Sequence, residues 1–154
     1  MNYKELDIKR SYISMGNDNI AKAFLNPALA CSKTYKRSVG FFSSSVLVPI
    51  LNGIVSLARN NGSVQLIASP NLSADDVDAI GKGYELREKI ISNAFTKDFL
   101  RELESLDDSK LELLANLIAR GILDIKIAVT DTVGIYHDKL GVLEDFDGNK
   151  IAFY

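Results

Sequence analysis

An α/β fold, with a mixed sheet whose central strands run parallel and are flanked by helices, follows from three features of the sequence. First, "TYKRSVGFF" (34–42) and "SVQLIASP" (63–70) read as strands and bracket a stretch of helical periodicity at 46–60. A strand, a helix and a strand joined by short turns form a crossover unit, and such units pair their strands in parallel. Second, "LDIKIAVT" (123–130) alternates Ile125, Ile127 and Val129, the period of a further strand. Third, "GIYHDKLGVLED", a Phe146-Asp147-Gly148-Asn149 turn and "KIAFY" read as a closing antiparallel hairpin.

Taken in order, the first ten residues show no period. "NDNIAKAFLNPALA" reads as a short amphipathic helix capped by Asn17 or Asp18. Pro27 is expected to interrupt it, since the ring removes a donor and restricts Asn26. In 34–42, Tyr35, Val39, Phe41 and Phe42 are strand formers running into the core. The serines 43–45 then cap a helix whose Leu47, Ile50, Leu51, Ile54, Val55 and Ala58 share one broad face. Pro49 suits the first turn of that helix, where its missing N–H costs little. "NNG" (60–62) ends it, and the following strand is apolar on both faces from Leu66 to Ala68, as in a buried parallel strand.

"NLSADDVDAI" opens the next helix, with Ser73 as cap and Asp75 and Asp76 at its positive end. The two carboxylates resemble a metal pair on paper, but the helix dipole accounts for them. Further helical stretches run over 84–103 and 109–120, and Gly121 is placed to terminate the second in the left-handed region.

The 154 residues suit a single domain over 1–154 with a real core. Hydrophobic residues at 47% and charged residues at 25% exclude a disordered chain. A net charge of −2 means that any polyanion must be held by a local patch. One cysteine, Cys31, and one histidine exclude a disulfide framework and a cysteine zinc site. A carboxylate Mg²⁺ site needs only one or two acidic residues and is not excluded on composition. The polar start "MNYKELDIKR" has no signal-peptide core, and no apolar run reaches the roughly 18–20 residues of a membrane span. A cytoplasmic protein with no membrane partner is the expectation.

The only histidine, His137, lies two residues before Lys139. In extended backbone both project to one face, with Gly141 bare beside them, while Tyr136, Asp138, Leu140 and Val142 point the other way. An ammonium offers a point charge to phosphate oxygens, and an imidazole offers a nucleophile or a proton donor. A carboxylate on the other ring nitrogen would fix the tautomer.

The spacing resembles the phospholipase D superfamily motif His-x-Lys-(x)4-Asp, with His137, Lys139 and then Glu144 at the acidic position and Asp145 next to it. "RSVGFFSSS", "QLIASPNLSADDVDAIGKGY" and "HDKLGVLEDFDGNKIAF", in this order over about 35–153, are more narrowly similar to the phospholipase-D-like nuclease domains. Those domains stand at the N-terminus of bacterial DEAD/DEAH-type helicases and restriction-associated proteins.

That resemblance implies a metal-independent phosphodiesterase or nuclease acting on nucleic acid, DNA before RNA, through a phospho-histidine intermediate and without cofactor. His137 would be nucleophile or general acid, Lys139 the phosphate clamp, and Glu144 or Asp145 the acidic partner. Extended geometry, however, sets Glu144 about 17 Å beyond Lys139 unless the hairpin bends back. Two His-x-Lys motifs face each other in the family, so a homodimer or a second motif further along the chain is implied. Family members also continue past "IAF" with a Gly-Ser-x-x-Asn segment, so the chain is expected to be a fragment of a longer protein, with a helicase domain in the same polypeptide.

Weaker site readings stand beside plainer ones. Lys36 and Arg37, with Lys33 and Tyr35, form either a phosphate-contacting patch or a solvated strand entry. Ser43 and Ser44 either line the pocket, as strand ends in parallel sheets often do, or serve only as caps. The rival to catalysis is an inactive nucleic-acid-binding or dimerisation module of the same fold; a phospholipid-cleaving enzyme is a weaker third, for want of an apolar membrane-facing surface.

Overall fold

A computed structural model describes residues 2–13, 19–69, 72–89, 110–128 and 136–154. Its five strands are β1 (Ser32–Val39), β2 (Ser63–Ala68), β3 (Leu123–Ile127), β4 (Gly141–Asp145) and β5 (Lys150–Phe153). They form one sheet in the order β3-β2-β1-β4-β5. β1, β2 and β3 run parallel, while β4 is antiparallel to β1 and β5 to β4. The helices are α1 (Asn26–Cys31), α2 (Leu51–Arg59), α3 (Ala74–Lys89) and α4 (Lys110–Ala119). The α/β class with a mixed sheet, central parallel strands and flanking helices is therefore as expected.

Two prolines act differently from expectation. Pro27 does not interrupt the first helix. It sits in the opening turn of α1, and the turn before it, Ala21–Leu25, widens to π geometry. Widening shifts the hydrogen-bond ladder past the donor that proline lacks, so Asn26 keeps helical dihedrals. Pro49 shortens the second helix: Ser44–Ile50 is a 3₁₀ segment and α2 starts only at Leu51. Asn26 spans the break, its Nδ2 donating to Pro49 O (2.9 Å) and its Oδ1 accepting from Gly53 N (2.8 Å).

Other ends match better. Ser73 Oγ accepts from Asp76 N (3.1 Å), capping α3 as its sequence suggests. Gly121 ends α4 with φ of 71°. Asn17 and Asp18 lie outside the described residues, as do 90–109 and 129–135.

The core is built on one face of the sheet. Tyr35, Val64, Leu66, Leu123, Ile125 and Leu143 pack with Leu29 of α1, Ile54 and Leu57 of α2, and Leu114 and Leu117 of α4. Burying this many aliphatic side chains, each contributing about 1.5–3 kcal/mol, is what holds the layers together. The alternate residues Lys36, Gln65, Ile67 and Lys126 are exposed on the opposite face. Ile67, at 41% exposure, shows that β2 is not buried on both faces as its apolar run suggests.

At the sheet edge, α3 packs on α4 and the Tyr84 hydroxyl covers β3. It donates to Asp124 Oδ1 (2.8 Å) and accepts from Ile125 N (2.9 Å), satisfying a free edge donor. Among the described residues no helix is long and apolar enough to cross a membrane.

Candidate functional site

β1 ends at Val39, and Gly40 turns the chain away from the sheet. Regular pairing of β4 starts only at Gly141, opposite Arg37, so His137 and Lys139 precede the strand rather than lie on it. The expected hairpin strand is thus shorter, its regular pairing stopping two residues before the end of β1. Segment 136–140 is still anchored. Ser38 N donates to Leu140 O (2.8 Å), and the hydroxyls of Ser38 and Tyr136 are hydrogen-bonded.

Gly40 lets this segment come close. A β-carbon at position 40 would lie 2.8 Å from His137 Nδ1 and 2.9 Å from His137 Cα. Any side chain there would push the histidine out. The period of two survives without a ladder: His137 and Lys139 line one cavity, while Leu140 and Val142 line the opposite face.

That cavity measures about 510 Å³ and lies on the helix-covered side of the sheet. Its floor is apolar, with Phe42, Leu47, Ile50, Ile54, Val64 and Leu66 among the walls. Its charged lining is basic, Arg37 and Lys139, joined by the imidazole of His137, with no carboxylate among the described lining residues. Arg37 reaches it because residues 35, 37 and 39 share the parity of buried Tyr35.

The Arg37 guanidinium stands 5.0 Å from the centre of the Phe153 ring, and its Nη1 is buried with no hydrogen-bond acceptor among the described residues. A buried guanidinium N–H without an acceptor costs free energy. Phe153 in turn covers Gly141 and packs edge-on against Phe24 at 5.1 Å. A β-carbon on Gly141 would overlap that ring. Gly141 is therefore not bare beside the histidine and lysine; the glycine makes room for the ring that supports Arg37.

The other sequence-derived residues go elsewhere. Lys36 has the opposite parity and faces the exposed side of the sheet. Ser43 caps the 3₁₀ segment, its Oγ accepting from Ser45 N (3.4 Å). Ser44 N donates to Asp76 Oδ1 (3.2 Å), tying that segment to α3. Neither serine lines the cavity. The capping explanation is the one the geometry supports.

Glu144 and Asp145 are not brought to His137. β4 runs straight on from Gly141, so Asp145 lies opposite Ser32, at the far end of β1. Glu144 is instead 3.5 Å from Lys150 Nζ. The carboxylate of Asp145, 1% exposed, accepts from Tyr3 N (3.1 Å), Asp147 N (3.0 Å), Asn149 N (2.8 Å) and Asn149 Nδ2 (2.8 Å). Burial alone would raise its pKa, but the donors of Asn149, Tyr3 and Asp147 outweigh it and hold the group below the ordinary carboxylate value. Asp145 organises the turn; it has no lone pair to spare for an imidazole.

No family model, curated protein or solved structure matches this chain. The site therefore rests on its own geometry. Two of its residues escape the sequence reading. Gly40 signals itself only as a glycine at a strand end, and Phe153 only as an aromatic in the last strand.

Proposed function

We propose that the cavity is a phosphodiester site and that the domain is a metal-independent nuclease of the phospholipase-D-like kind. What carries the reading is the convergence of Arg37, His137 and Lys139 on one cavity without a described carboxylate. Lys139 and Arg37 neutralise the non-bridging phosphoryl oxygens, the guanidinium through directed N–H donors and the ammonium as a point charge. With Nδ1 turned against Gly40, the other ring nitrogen, Nε2, is the one left to attack. Its lone pair forms an N–P bond as the P–O bond to the leaving nucleoside breaks. The departing alkoxide takes a proton from a second imidazole, and water then hydrolyses the N–P bond.

The chain has one histidine, so the second comes from another copy or from a further segment of a longer polypeptide. DNA is the favoured polymer, a helicase on the same polypeptide the favoured context, and the cytoplasm the favoured compartment.

A second reading, an anion-binding module without turnover, draws on the engagement of Glu144 and Asp145 elsewhere, which leaves His137 no carboxylate in the described cavity lining. One assay separates the two. The protein and its His137→Ala variant are incubated with labelled single- and double-stranded DNA in EDTA. Cleavage by the parent that falls at least a thousandfold in the variant supports the nuclease; tight binding without cleavage supports the module. Cleavage that needs added Mg²⁺, or that survives loss of His137, removes the mechanism.

A further inference from the structure

We infer that the apolar floor of the cavity receives an unstacked base, so that the site takes single-stranded polynucleotide in preference to duplex; this rests on the phosphodiester reading above. The observation behind it is Phe41. Its neighbour Phe42 is buried at 2% exposure, yet Phe41 stands 72% exposed on the cavity wall, one residue from the Gly40 that seats His137. Val46, half exposed, lies on the same wall. An isolated exposed phenylalanine means little. Here the ring shares with Arg37, His137 and Lys139 the lining of a hollow of about 510 Å³, a size in the range of about 300–1,000 Å³ that encloses small organic ligands.

Phosphate recognition alone does not need this hollow. A duplex offers its phosphates on the outside and keeps its bases stacked within, so it would engage only Arg37, His137 and Lys139 and leave the floor empty. A single strand held by the same phosphate can swing the adjoining base onto Phe41 and down toward Phe42 and Leu47, removing two apolar surfaces from water. The charge of the rim argues for this occupant over a neutral apolar one. The floor itself offers almost no donors or acceptors to read a base edge, so the preference is for any base, with little sequence discrimination.

The test measures anisotropy with three phosphorothioate-linked probes, which resist cleavage: a labelled single strand, the same strand without bases, and the duplex. The single strand is expected to bind about five- to a hundredfold tighter than either of the others, the range that stacking one base on an aromatic ring commands. Phe41→Ala should close most of that gap without changing affinity for the abasic strand, and Phe41→Tyr should restore it. Abasic or duplex probes binding as tightly as the single strand, with salt dependence kept, overturn the base pocket and leave the phosphodiester reading standing. A Phe41→Ala loss equal for all three probes also overturns it. If no probe binds with salt dependence, or anionic phospholipid vesicles bind in their place, both readings fall.

Discussion

The two ends of the β1–β4 pair use polar residues in opposite ways. At the Ser32 end the buried side-chain groups described all find partners. Ser32 Oγ donates to Ala28 O (2.7 Å) and shares a hydrogen bond with the Tyr3 hydroxyl (2.7 Å), while Asp145 takes four donors. At the Arg37 end a buried guanidinium nitrogen has no acceptor, and two more basic side chains face an apolar hollow. A satisfied network stabilises one structure. The buried Arg37 nitrogen belongs to no such network among the described residues. Proximity in sequence misleads here: Asp145, eight residues from His137, belongs to the first kind.

The sharpest way to break this contrast is Asp145→Ala. It strands four donors at once, and the loss of stability should be the largest among the substitutions considered, read as a fall in the urea midpoint. The pH dependence has a definite sign. Because the native carboxyl lies below its ordinary value of about 3.9, its contribution is complete above about pH 4 and disappears as pH falls through the native value. At the same end, burial pushes the Tyr3 hydroxyl up to about 12, so a second loss should set in from about pH 10 and run up to that value. An Asp145→Ala protein that keeps the acid-induced step would show that another carboxylate carries it.

Gly141→Val tests the support of the cationic end. The new side chain displaces the Phe153 ring and should cost about 1–3 kcal/mol by overpacking. Arg37 then loses its aromatic platform, so oligonucleotide affinity should fall together with stability. A variant as stable as the parent would mean that the ring does not sit against position 141. Smallest in stability, and most telling, is Arg37→Met. Replacing an unanswered N–H by an apolar chain of similar length should leave the unfolding midpoint unchanged or slightly raised, with binding weakened about tenfold. A marked loss of stability would place Arg37 among the structural residues.

Much of this was legible in the residues themselves. The crossover unit, the closing hairpin and the mixed sheet follow from periodicity and turn chemistry, and the shared direction of His137 and Lys139 follows from their spacing. Parity also separates Arg37 from Lys36, once Tyr35 is recognised as the inward residue of β1. The fate of Asp145 was not legible, because its donors include Tyr3, 142 positions away. Nor was the exposure of Phe41: propensity places it in a strand, and only the turn at Gly40 takes it out. Local preference describes elements well, whereas the use of a polar group depends on partners that the fold brings from afar.

The claim that Arg37 and Lys139 form one phosphate site is tested most directly by the salt dependence of single-strand binding. For the parent protein the logarithm of the affinity should fall linearly with the logarithm of salt concentration, and Arg37→Met and Lys139→Met should each lower that slope by about 0.7. Slopes equal to the parent's in both variants would contradict the account.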